Sequence, residues 1–207
     1  PEAGVPAVSS FTFNTVARIV SGDGEALGLA RHCSALKLQS VLLVTDPGLV
    51  KLGLIAPIQA ALTNAGSSVS LYSGVQEDPP EDVVLAAVAQ AQQDGVQGVI
   101  GVGGGSSMDV AKVAAALVDS TQSLPDMYGV DKVEGSRLPL VLVPTTAGTG
   151  SEVTPVSVIT TGKTTKAGVS SPTLLPDVAI LDADLTLGLP PAATAMTGVD
   201  AMVHAIE

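Results

Sequence analysis

The chain has 207 residues, 46% of them hydrophobic but only 2% aromatic and none Trp, so it is long enough for one large domain whose core must be aliphatic. Nine Lys and Arg stand against 20 Asp and Glu for a net charge of −11, a balance that offers no basic patch to a nucleic-acid backbone or an anionic membrane surface. No apolar run reaches the roughly 18 residues of a membrane helix, and the single cysteine, Cys33, excludes an intramolecular disulfide, which leaves small-molecule chemistry in a reducing, cytoplasmic setting.

The chain begins at Pro1 without Met, so a targeting segment ahead of it can have been removed. Residues 1–15 open on a Pro/Ala/Ser-rich stretch and read as a loose arm. Phe11 to Val20 carries β-branched and aromatic residues that predict one or two short strands, closed by Ser21-Gly22-Asp23-Gly24. Glu25 to Leu38 has helical spacing and contains His32 and Cys33, both read as packing residues. Val41 to Val44 predicts a buried parallel strand that ends in Asp46. An acid there can accept hydrogen bonds from both ribose hydroxyls of an adenosine and repels a 2′-phosphate, which favours NAD over NADP. Asp46 equally suits the start of a turn before Pro47-Gly48. It also precedes the glycine-rich loop instead of following it, so the order is not that of the usual dinucleotide fingerprint.

Leu49 to Ala65 predicts one helix stopped by Gly66, Ser68 to Tyr72 a strand, and Pro80 to Gln93 a strongly patterned helix behind the acidic loop Gln76 to Pro80. Val99 to Val102 then runs into Gly103-Gly104-Gly105-Ser106 and on to an Ala/Val-rich helix through Val118, the layout of a phosphate cradle. Ser106 is the expected N-cap and Asp109 the acid of a capping box. Asp119 to Arg137 reads as a polar surface loop, and Leu140 to Val143 as another buried strand followed by the hydroxyl-rich run Pro144 to Glu152. Two such loops at the carboxyl edge of a parallel sheet are where open α/β folds bind ligands. Thr154 to Thr161 and Lys166 to Ser170 predict strands flanking the turn Gly162-Lys163, with Lys166 on an arm able to fold over the site or to stand in solvent. A last strand, Pro176 to Asp182, precedes a helix opened by Pro190-Pro191, on which Asp200 and His204 stand one turn apart. That pair can share a metal ion or simply a hydrogen bond.

Gly103-Gly104-Gly105-Ser106 with Asp109, the run Pro144 to Glu152, and Gly198 to Glu207, in this order and spacing, resemble the iron-containing (group III) alcohol dehydrogenase family from about Arg18 onward. The resemblance implies an α/β, parallel-sheet dinucleotide-binding domain of the dehydroquinate synthase-like kind over residues 16–188. The start of an all-helical domain would follow at 189–207, with metal and substrate in the cleft between. By position it implies Asp46 as the ribose-binding acid, Gly104, Gly105 and Ser106 as the pyrophosphate loop, and Asp109, Thr145, Thr146 and Lys166 as further NAD contacts. Asp200 and His204 match the first two ligands of Fe²⁺ or Zn²⁺. In that family two more histidines complete the shell, but this chain has only His32 and His204, so it is expected to be the N-terminal portion of a longer protein. A second departure is Asp78, where many relatives carry Asn before a proline.

The activity implied is reversible hydride transfer between a small alcohol or aldehyde and NAD, with the metal lowering the pKa of the alcohol oxygen. None of the residues named is expected to act as a proton donor or acceptor, and the chain on its own is expected to be inactive. A homodimer is left open. So are two other function classes: a dehydroquinate synthase-type lyase, for which nine Lys and Arg offer few phosphate ligands, and a non-catalytic nucleotide-binding module.

Overall fold

The computed structural model describes residues 11–206 apart from residue 163, so most of the predicted arm lies outside the described residues. Strands β1 (Ile19–Ser21), β2 (Ser40–Val44), β3 (Ser68–Tyr72), β4 (Gly98–Gly103), β6 (Leu140–Pro144) and β9 (Val178–Leu181) form one sheet in the order β1-β9-β6-β4-β2-β3. Every pairing in it is parallel, as the alternation of apolar runs and helices predicted.

Successive side chains of a strand point to opposite faces, and the core divides accordingly. Leu42, Val44, Val99, Leu140 and Leu142 face helices α4 (Glu81–Asp94) and α5 (Gly105–Leu117). Val41, Leu43, Ile100, Val102, Val141 and Val143 face α1 (Leu29–Ala35) and α3 (Ile55–Asn64). Both faces are covered, which is why these strands read as continuous apolar runs.

Four expectations need correction. The strand predicted from Phe11 shrinks to β1, and Phe11 and Phe13 are exposed; with only 2% aromatics in the chain, composition there misleads. The helix predicted from Glu25 begins as a 3₁₀ turn, Glu25–Gly28, before α1. The helix predicted over 49–65 is two, α2 (Pro47–Lys51) and α3, broken where Gly53 takes φ 76°, a conformation no helix interior accepts. The polar segment 119–137 is not only loop: it holds a 3₁₀ turn, Leu124–Met127, with Leu124 and Met127 buried, and the short strand β5 (Gly129–Val130).

A second sheet of order β5-β8-β7 carries the arm. Its strands β7 (Val156–Thr161) and β8 (Thr165–Ser170) are antiparallel, with Thr160 opposite Lys166. The last helix, α6 (Pro191–Ile206), has no buried residue.

Candidate functional site

From β2 the chain moves outward to β3, then returns past β2 to β4 and continues the other way through β6 and β9. The strand order therefore reverses between β2 and β4, and a crevice opens outside their carboxyl ends, the general ligand position of open α/β sheets. Asp46 leaves β2 there, the glycine turn leaves β4, and Thr145 and Thr146 leave β6. All of these line one cleft of about 470 Å³, together with Gly105 and Ser106.

The turn's conformation follows from two glycines. Gly103 has φ 153°, and a Cβ there would stand 2.5 Å from Ser107 Oγ, so the chain can come this close to its own helix only without a side chain. Gly104 is extended (φ −77°, ψ −172°) and is the cap residue of α5; an added Cβ would meet only Thr146, at 3.6 Å, across the cleft. The expected N-cap at Ser106 is thus displaced by two residues, and the cap carries no side-chain hydrogen bond. The first N–H groups of a 13-residue helix, with the positive end of its dipole, are left directed at the cleft.

Asp46 caps α2: the Leu49 N–H donates to Oδ1 at 3.0 Å. The turn role and the place beside the glycine loop are therefore held by the same carboxylate. Thr145 is buried, and its N–H donates to the Gly103 carbonyl at 3.0 Å, tying the two loops together.

Asp109 makes no capping box. Its Oδ1 accepts from Ser151 Oγ at 2.8 Å and its Oδ2 from the Val158 N–H at 2.9 Å, because the side chain points toward the second sheet and away from the helix start. Burial pushes its carboxyl above the usual range, against the opposing pull of Lys112 and these two hydrogen bonds. Lys112, which sequence reasoning passed over, is wholly buried one turn further on, with Nζ 3.9 Å from Asp109 Oδ1. Burial lowers its ammonium to about 8, with Asp109 and Glu152 opposing that shift. The signal was present: a lysine at the interior spacing of Met108, Ala115 and Ala116, all buried.

A second cavity of about 470 Å³ adjoins the first across Gly105 and Ser106, and Asp78, Asp109, Ser151 and His204 line it. Among the described residues Lys166 lines neither space; its ammonium pairs with the Asp78 carboxylate. The backbone brings the two segments together, since the Thr160 N–H, directly across the arm from Lys166, donates to the Pro79 carbonyl at 2.9 Å. Asp200 Oδ1 and His204 Nε2 are 3.7 Å apart and exposed. No third His, Cys, Asp or Glu joins them among the described residues. Helix α6 reaches the site because Gly148 lets it approach: a Cβ there would be 2.8 Å from the Thr197 carbonyl oxygen.

A family model described as iron-containing alcohol dehydrogenase matches residues 16–183. The chain is 42% identical over 199 residues to the sulfoacetaldehyde reductase of Bilophila wadsworthia, covering 96% of this chain and 51% of that protein. It is 43% identical over 202 residues to long-chain-alcohol dehydrogenase 1 of Geobacillus thermodenitrificans, covering 93% and 51%. Its fold matches the crystal structure of sulfoacetaldehyde reductase from Bifidobacterium kashiwanohense in complex with NAD⁺, with a TM-score of 0.90 at 34% identity over 97% of this chain and 53% of that one. The chain spans about half the length of these relatives.

Proposed function

Because the chain belongs to the iron-containing alcohol dehydrogenase family, we propose that it forms the dinucleotide-holding part of an oxidoreductase that passes a hydride reversibly between a small alcohol and NAD. One observation carries this reading: Asp46, the glycine turn and the threonine loop share one cleft at the point where the strand order reverses.

The cradle fits a dinucleotide. A diphosphate at Gly104 would take the N–H groups of Gly105 and Ser106, the first of α5. Asp46, with Oδ1 already holding the Leu49 N–H, offers Oδ2 to the ribose hydroxyls, and its charge disfavours a 2′-phosphate. Thr145 and Thr146 line the same cleft, and the second cavity, reached across Gly105 and Ser106 and lined by Asp109 and His204, would have room for the rest of the cofactor. Lys166 contacts the cofactor only after leaving Asp78.

Asp200 and His204 fit two neighbouring positions on one divalent ion: an oxygen and a nitrogen donor on successive turns, 3.7 Å apart and exposed. When bound, Fe²⁺ or Zn²⁺ supplies a Lewis acid for the alcohol oxygen and NAD the hydride acceptor. This chain's residues would bind and orient the cofactor, and Asp200 and His204 would hold the ion and move no proton. The relatives are named for sulfoacetaldehyde and for long-chain alcohols, which supports an alcohol or aldehyde substrate.

Titration calorimetry with NADH and NADPH tests the reading. The wild type is expected to bind NADH and to reject NADPH. Asp46→Ala should weaken NADH roughly tenfold, the worth of a charged hydrogen bond, while narrowing the gap between the two. A wild type that binds neither, or an Asp46→Ala protein with an unchanged ratio, overturns it.

A further inference from the structure

No fully buried side chain among the described residues is larger than that of Lys112. Its ammonium donates to Ser151 Oγ and to the Val156 carbonyl, both at 2.8 Å, and to Thr154 Oγ1 at 3.4 Å. Asp109, one turn back on α5, takes Ser151 Oγ and the Val158 N–H, and its own carbonyl accepts from Ser157 Oγ at 3.2 Å. Two side chains of the glycine-turn helix thus grip the segment from Ser151 to Val158, which continues the threonine loop into β7.

Burying an ammonium is costly, and a Met of similar length would fill the space at less cost. What a charged, fully bonded side chain adds is direction: it selects one position of the segment relative to α5 where an apolar contact would allow several. That position matters because the segment follows closely on Thr149 and lines the second cavity with it. Thr149 lies so close over Gly105 that a Cβ there would meet its Cγ2 at 3.0 Å.

We infer that Lys112 is a positioning residue: by holding Ser151, Thr154 and Val156 it fixes how the far end of the threonine loop, around Thr149, lies over Gly105, and so sets the affinity for the diphosphate and ribose of a dinucleotide. It touches no ligand, and the inference rests on the dinucleotide reading of the cleft. The groups around it define a pH signature. Asp109 faces it from its own helix and Glu152 from the loop, whereas β7 contributes only the uncharged Val156 carbonyl. With the ammonium lowered to about 8, the grip loosens as pH rises through that value.

The test is ADP-ribose binding by calorimetry to the intact wild-type protein and to Lys112→Met, Ser151→Ala and the double variant, each checked for folding by circular dichroism. Each single variant is expected to stay folded and to bind roughly tenfold more weakly, as misplacement of a ligand-facing wall does. The double should be no weaker than either single, and the wild-type decline in affinity above about pH 8 should vanish in Lys112→Met. Wild-type affinity in Lys112→Met, additive losses in the double, or an unchanged pH profile overturns the inference alone. If Lys112→Met unfolds, Lys112→Gln, which keeps a hydrogen-bond donor without the charge and leaves Asp109 in place, replaces it: loss of the wild-type decline above about pH 8 supports the inference, and a retained decline overturns it. A wild type that does not bind ADP-ribose overturns the dinucleotide reading itself.

Discussion

Gly103 and Gly104 are adjacent and chemically identical, yet they serve different ends. Gly103→Ala forces a Cβ onto Ser107 at a φ of 153° and should lower stability by about 2 kcal/mol, read as a fall in the urea midpoint. Gly104→Ala meets only Thr146 across the cleft, at 3.6 Å. It should leave that midpoint in place while weakening ADP-ribose, because the methyl would enter the space proposed for the diphosphate. Asp78 makes a complementary case. Its carboxylate holds Lys166 although both side chains are well exposed (67% and 45%), so the pair is weak and screened by salt. Asp78→Asn keeps a residue that tolerates the φ of 52° at that position and frees the ammonium. NADH binding should tighten up to about fivefold at low salt and less at high salt, and a Lys166→Met background should erase the gain.

At the level of elements, helix α1 buries His32 with its Nε2 unpartnered. Burial lowers the imidazole below its usual 6.5, helped by the nearby Arg31 and Arg18. The native state thus stays neutral where the unfolded chain takes up a proton. The contribution is complete above pH 6.5 and is lost as pH falls from there through the folded-state value. Urea midpoints at about pH 7.5 and 5.5 should show a larger drop for the wild type than for His32→Gln. Elements of this kind were largely legible from sequence, because each buried strand is an apolar run and the helices packed on the sheet, α1 and α3 to α5, each have a covered stripe, which α6 does not. The breaks were not. Gly53 lies inside a segment whose apolar spacing continues past it, and only the backbone reveals its left-handed turn. The hydroxyl and glycine loops announced the cleft because small and polar residues after buried strands have little structural reason to be there. The partners of Asp109 and Lys112 lie 39 to 49 residues away in sequence, and no local pattern encodes a contact at that separation.

At the level of the whole molecule, the first and last strands of the sheet are neighbours, with Ile19 in register with Ala179 and Val20 with Ile180. Asp182, buried behind β9, fastens the join by accepting the N–H groups of Gly24 and Ala26 at 3.1 and 2.9 Å, and that of Asp184 at 3.2 Å. Asp182→Ala leaves the buried Ala26 N–H and the part-buried Gly24 N–H without their acceptor and should cost about 2 kcal/mol, read as a lower thermal midpoint with β1 amides losing hydrogen-exchange protection first. The long closure also orders events during synthesis. A ribosome releases Ile19 about 160 residues before its mate, at roughly ten residues per second, so for many seconds the nascent N-terminal strand has nowhere to dock. The β2-β3-β4-β6 block, with the cleft at its edge, can assemble first, and β1 finds its mate only once β9 has been made.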